Sequence, residues 1–420
     1  MKSVSMIAAT LLLAAPVMLA AQTPEEVAAA ALRAAPVMDG HNDVPIQLRG
    51  RFGNVIADFD FHDTTDTAST EPRRAAMHTD IARLREGKVG AQYWSVYVPA
   101  SLEEPEAVQM TIEQIDVTKR LIERYPDDLQ LALTADDVES ALAAGKIASL
   151  MGMEGGHSIG SSLGVLRQMY DLGARYMTLT HSKNTPWADS ATDAPAHNGL
   201  TDFGRDVIRE MNRLGMQVDL SHVSEKTMHD VLDVAKAPVI FSHSSARALN
   251  GHARNVPDSV LQRLPANGGI VMVTFVPGFL SEPARQWNAN RDAEKARLEA
   301  LWQGQPEQVE QGLKLWDDRN PLPQASVRDV ADHIDHVRAV AGIDHIGIGG
   351  DYDGIPFAPP GLEDVSGYPA LFVELARRGY SQADLEKISL RNALRALRGA
   401  EAYAASQRGA PAIETVVTGG

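Results

Sequence analysis

The sequence predicts a (β/α)8 barrel of the TIM type. Three observations lead there: β-rich runs alternate with amphipathic helical patterns about eight times, most runs end in a histidine or an acidic residue, and the chain suits one large α/β unit. At 420 residues and 44% apolar content it can bury a sizeable core.

Strands are expected at 36–38, 92–98, 148–153, 176–180, 217–220, 239–242, 270–275 and 346–349, each a short run rich in β-branched, aromatic or other apolar residues. Between most of them, the stretches 107–124, 163–172, 202–214, 226–235, 258–264 and 327–341 repeat apolar residues at helical spacing. Thr134-x-x-Asp137 and Ser326-x-x-Asp329 mark helix starts, because the hydroxyl can accept a backbone N–H that has no partner in the first turn. A ninth run at 129–133 leaves the strand count open, and a doubly wound open sheet is the competing architecture. Gly155-Gly156 and Gly349-Gly350 lack the spacing of a dinucleotide or phosphate loop, so nucleotide use is not supported.

Two stretches, 51–74 and 277–324, interrupt the alternation and read as insertions of the kind that cover active sites. After Gly367 come two more helices, the second capped by Ser381-x-x-Asp384, and 406–420 reads as a flexible tail. A single domain is therefore expected over 22–405.

Residues 1–21 have the form of a cleaved secretory signal: Lys2, an apolar run from Met6 to Ala20, and small residues before Ala21 and Gln22. A periplasmic or secreted location is expected. The run is short for a membrane span, and the polar end 414–420 has no lipid-anchor signal. A net charge of −16 argues against a nucleic-acid partner or an anionic membrane surface. With no cysteine, any metal must sit on histidines and carboxylates.

The chemistry is carried by what ends the strands. Asp39-Gly40-His41-Asn42-Asp43, Glu154-Gly155-Gly156-His157, Thr180-His181, Ser221-His222, Ser242-His243 and Gly350-Asp351-Tyr352-Asp353 all lie there. In a barrel the C-terminal strand ends converge on one mouth, so these distant residues can meet. His41 and Asp43, two apart in extended chain, point to the same side and suit one zinc ion. Glu154 can bridge to a second cation on His222 and His243, and two cations sharing a carboxylate supply hydroxide from water near neutral pH. A lone histidine at a strand end is more often hydrogen-bonded or exposed; here the placement recurs six times. His62, His78, His197, His229, His252, His333, His336 and His345 lie in polar loops or helical patterns and read as ordinary, whereas His157 either orients a ligand or serves the structure.

These segments, with Leu179 to Asp189, Phe241-Ser242-His243-Ser244-Ser245 and Arg254-Asn255-Val256-Pro257-Asp258, closely resemble the renal or membrane dipeptidase family, peptidase family M19, of the metal-dependent hydrolase superfamily. The resemblance runs from about Pro36 to Arg398. It implies two zinc ions per subunit, on His41 and Asp43 and on His222 and His243, bridged by Glu154. It also implies that His181 contacts substrate and the developing oxyanion, that Arg254 holds the C-terminal carboxylate of a dipeptide, and that Asp351 is the acid/base. Asn255 and Phe279 are placed with Arg254 in the substrate pocket, and Phe279 stands where mammalian members carry tyrosine. The resemblance suggests a homodimer, and the missing cysteines and anchor suggest an exported bacterial member.

Two other readings compete. Another binuclear hydrolase, acting for example on a lactam, would use the same hydroxide, but related barrels begin with His-x-His or bridge through a modified lysine rather than His41-x-Asp43 and Glu154. A non-enzymatic binding protein on the same fold would be expected to have lost a ligand, and all eight matched positions are intact.

Overall fold

The computed structural model describes residues 22–70 and 73–414; the proposed signal segment lies outside them. The chain opens with helix α1 (Pro24–Ala34), whose Thr23 and Glu26 cap each other's backbone amides. It then enters nine parallel strands: β1 (Val37–Asn42), β2 (Val89–Tyr97), β3 (Leu129–Leu131), β4 (Ile147–Glu154), β5 (Ala174–Thr178), β6 (Gln217–Asp219), β7 (Ile240–Phe241), β8 (Ile270–Val273) and β9 (Ile346–Ile348).

Eight of them close a (β/α)8 barrel in the order β2-β1-β9-β8-β7-β6-β5-β4. Closure comes from β2 against β4, in register from Ala91↔Ala148 to Tyr97↔Glu154. The ninth run, β3, is a real strand but no stave. It pairs with residues 147–149 at the start of β4, on the edge that β5 takes over from Met151 onward. The open-sheet alternative is thereby excluded.

Strand ends differ from the sequence expectation where polar residues are buried. β1 runs on through Asp39, Gly40, His41 and Asn42, all fully buried, because the mouth of the barrel satisfies side chains that look like loop residues in the sequence. The barrel interior packs Met38, Tyr93, Leu150, Tyr176, Ile240, Ile270 and Met272, together with Leu390, Leu394 and Leu397 from the C-terminal part of the chain. A larger apolar layer fills the space between strands and outer helices.

The insertion after β8 folds into a short turn of helix (Pro277–Leu280) and two long helices, Glu282–Leu301 and Pro306–Arg319. The long helices pack on each other through Trp287 and Trp316, 5.4 Å apart, and through Arg291 with Asp317. Beyond the last helix (Asn392–Ser406), the described part of the tail has Ile413 backbone atoms bonded to Glu210 and Arg167. Among the described residues no helix is long and apolar enough to cross a membrane.

Candidate active site

The mouth of the barrel is organised around Asp39. One of its oxygens accepts the His41 amide and the Gln92 side chain, each at 2.8 Å. The other accepts the Gly350 amide at 2.7 Å and the Tyr368 hydroxyl at 2.6 Å. Burial pushes the Asp39 pKa up while these four donors oppose the shift. The effect is to clamp the end of β1 to the end of β9, which brings His41 and Asp43 beside Asp351.

Gly354 completes that clamp. A methyl group on its Cα would collide with carboxylate oxygens of both Asp43 and Asp351, so glycine is what lets the chain after Asp351 lie against them. Asp351, Asp353 and His222 all hold left-handed backbone, at φ 63°, 66° and 69°, a conformation uncommon outside glycine that aims their side chains from tight turns.

His41, Asp43, Glu154, His222 and His243 converge. His41 Nε2 lies 3.3 Å from Asp43 and 3.4 Å from Glu154 Oε2. On the other side, Glu154 Oε1 lies 3.0 Å from His222 Nε2 and 3.4 Å from His243 Nε2. Each oxygen of Glu154 thus faces a different group of ligand atoms. Two three-residue groups result, His41 with Asp43 and Glu154, and Glu154 with His222 and His243, the ligand atoms of each within 4.8 Å of one another, and Asp351 reaches His41 and His243 within the same distance.

The donor set fits metal cations. His41 Nε2 and Asp43 Oδ1 are buried with no hydrogen-bond partner, which would be costly unless something positive lies between them. His222 and His243 bring their Nε2 atoms to 2.9 Å, a close approach that a shared cation relieves. Burial would raise the Glu154 pKa, but the imidazoles of His41, His222 and His243 packed around it, His41 foremost, hold it well below the usual carboxylate range. Burial, reinforced by Arg254 and His181 around His222 and by His41 beside His243, pushes both imidazoles well below theirs, which favours the neutral form that metal binding requires.

Above the ligands is a cavity of about 400 Å³. Asp43, Glu154, His222, His243 and Asp351 form its floor, with His181, Arg254 and Phe279 also on its walls. His181 is wedged between Tyr97 and His222, with ring centroids 4.9 and 4.2 Å away, and its Nε2 is 3.9 Å from Glu154. Arg254 is buried, which pulls its pKa down to about 10 and still leaves it charged at neutral pH. It donates to Ser244 Oγ and to the His243 carbonyl, both at 3.2 Å, its Nε is unpaired, and its guanidinium lies 5.3 Å from the Phe279 ring centre. Burial pushes Asp351 well above the usual carboxylate range, with Asp43 and Glu154 adding to the shift against the charge of His41.

Asn255 is not on the cavity wall. It is fully buried, and its amide donates to the Asn250 and Phe279 carbonyls, so it holds the Phe279 loop. His157 donates to or accepts from no ligand residue; its Nε2 lies 3.1 Å from the Pro99 carbonyl, a structural contact. Residues that the strand-end pattern does not reveal also line the cavity: Tyr97, Ile46, Gln47, Val276 and Ile355. Tyr97 ends β2 as Glu154 ends β4, but a tyrosine is not one of the zinc-ligand types and so carries no signal in the sequence.

The model of the membrane dipeptidase family (peptidase family M19) matches residues 25–410. The chain is 44% identical over 389 residues to dipeptidase tcpJ of Claviceps purpurea, covering 90% of this chain and 80% of that protein. It is 41% identical over 396 residues to dipeptidase 3 of Rattus norvegicus, covering 93% and 70%. Among solved structures, a metallo peptidase from Rhodobacter sphaeroides, liganded with a phosphinate mimic of the dipeptide L-Ala-D-Ala, superposes with a TM-score of 0.71 at 25% identity, over 87% of this chain and 99% of that one. With its closed barrel and its convergent histidines and carboxylates, this chain belongs to the membrane dipeptidase family, peptidase family M19, and is a metallo-dipeptidase, a hydrolase of peptide bonds.

Proposed function

We propose that this enzyme hydrolyses dipeptides bearing a free C-terminal carboxylate, using two zinc ions that share Glu154. His41 and Asp43 would hold one ion and His222 and His243 the other. The observation that carries this is the convergence of five donor residues, four of them buried and two with a buried facing atom that has no hydrogen-bond partner, beneath a cavity walled by a charged arginine. When bound, the pair of cations supplies hydroxide at neutral pH and polarises the scissile carbonyl.

The chain's own residues do the rest. Arg254, on the cavity wall and with its Nε unpaired, takes the substrate carboxylate through charge-assisted hydrogen bonds, which limits the substrate's length on that side. His181 stands over Glu154 and donates to the oxygen that becomes negative as the carbonyl carbon turns tetrahedral. Asp351 accepts the proton lost by the attacking water and delivers it to the leaving nitrogen as the C–N bond breaks. The small cavity and the dipeptide mimic bound by the Rhodobacter relative support a two-residue substrate.

The test is steady-state kinetics on metal-quantified protein, with a dipeptide and its C-terminal amide compared in the parent and in Arg254→Ala. The parent should carry two zinc equivalents and prefer the free acid. Arg254→Ala should lose roughly 10–100-fold in kcat/KM on the acid, the worth of one or more hydrogen bonds to a charged group, and little on the amide. Equal losses on both would refute the carboxylate role. The same reading has the enzyme exported after cleavage near Ala21 and active as a homodimer, which N-terminal sequencing of secreted protein and its mass in solution would check.

A further inference from the structure

Two metal-site histidines are held from behind by different chemistry. The Nδ1 of His41 lies 2.9 Å from the Tyr176 hydroxyl, which in turn reaches the Gly40 carbonyl at 3.2 Å. The phenol donates to the carbonyl and so accepts from His41. The backing is a neutral group, and the Tyr176 ring fits there only because residue 152 is glycine.

Behind His243 the backing is charged. Its Nδ1 lies 2.8 Å from Ser242 Oγ, and Ser242 Oγ lies 2.6 Å from Asp219 Oδ2. Asp219 is fully buried and surrounded by donors: the amides of Ser221 at 3.1 Å and Ser242 at 2.8 Å on one oxygen, and the Thr178 hydroxyl with that of Ser242 on the other. A carboxylate so surrounded only accepts, so the Ser242 proton points at Asp219 and a lone pair of Ser242 faces His243. Ser221 Oγ, at 3.5 Å, is a poorer acceptor for that proton. His243 Nδ1 must then carry hydrogen, which leaves the Nε2 lone pair aimed at Glu154 and His222.

We propose that Asp219 and Ser242 form a hydrogen-bond relay that fixes the tautomer and aim of His243, and that they are positioning residues for one of the two cation sites. Neither touches the cavity. The assignment rests on the metal reading given above.

Asparagine at 219 gives the test its sign. It keeps the shape, and its carbonyl still accepts the two backbone amides, but its NH2 then donates to Ser242. The Ser242 proton is freed to turn toward His243 Nδ1, the opposite tautomer is favoured, and Nε2 carries a hydrogen where a lone pair is needed. Ser242→Ala merely removes the contact. Apoenzyme is titrated with Co²⁺ alone, following its visible absorption, for the parent, Ser242→Ala, Asp219→Asn and the double variant.

The parent should take up two equivalents. Ser242→Ala should bind one of them roughly 10–100-fold more weakly, with an altered spectrum, and leave the other unchanged. Asp219→Asn should be at least as damaged at that same equivalent, and adding Ser242→Ala to it should cause no further loss or a partial recovery, because the wrong donor is gone. Wild-type affinity and spectrum in both single variants, or losses that simply add in the double variant, would overturn the relay. If Ser242→Ala fails to fold by circular dichroism, Ser242→Thr replaces it: retention of both equivalents there, beside a loss in Asp219→Asn, supports the relay, and wild-type binding in Asp219→Asn overturns it. A parent protein that binds no Co²⁺ would refute the metal reading itself, a result distinct from any of these.

Discussion

Asp351→Asn keeps the volume and burial of the side chain while removing its capacity to take a proton. Its kcat on a dipeptide should fall by roughly 10²–10⁴-fold, the range for loss of a general acid/base, with both metal equivalents retained. Single-turnover kinetics beside metal analysis read the two quantities separately, and near-normal turnover would remove Asp351 from proton transfer. Other side chains at this scale divide by how they signal themselves. His41, Asp43, Glu154, His222 and His243 were legible because metal-ligand residue types at strand ends form a pattern. The roles of Tyr97, Tyr176, Asp219 and Ser242 are not legible, since a tyrosine, a serine or an acidic residue within a strand shows no role until its partner on another strand is known. The sequence reading places Asn255 in the substrate pocket with Arg254, yet consecutive residues point in different directions, and its amide bonds to backbone carbonyls instead.

At the scale of elements, local signals did well wherever they were local in cause. Thr134 accepts the Asp137 amide at 3.1 Å, as the spacing indicates, and Asp137 in turn accepts the amide of Leu133 at 2.9 Å. Thr134→Ala should therefore cost about 1 kcal/mol of stability. A lower denaturant midpoint at unchanged slope and unchanged kcat would show it, because this helix (Ala135–Ala143) precedes the N-terminal end of β4, away from the mouth. The ends of strands were less legible. β1 was expected to stop at Met38 and runs to Asn42, because the partners that satisfy Asp39 come from Gln92, Gly350 and Tyr368, far away in the chain. Whether 129–133 joined the barrel also depended on a contact no local pattern contains, the pairing of β2 directly with β4.

The whole molecule couples the candidate metal donors to the fold. The five donors come from the ends of β1, β4, β6 and β7, and they meet only when the barrel is closed. On the proposed two-zinc reading the ions bind the native state in preference to the unfolded chain, so chelated protein should melt at a lower temperature. Added zinc should restore it, with about 4 kcal/mol gained at a thousandfold excess over Kd. Identical melting curves with and without chelator, on protein shown to gain and lose zinc, would mean that the donors are equally organised without it.

The sequence by itself determined the barrel class, the alternation of strands and helices and the residue types that can hold metal, because hydrophobic period, caps and strand-end chemistry are written within a few neighbouring positions. Only the tertiary structure decided which strands close the barrel, how Glu154 divides its oxygens between two groups of ligands, and that Asp219 stands behind Ser242 and His243. Those facts are distances between residues far apart in the chain, and a distance of that kind comes into being only when the chain has closed on itself.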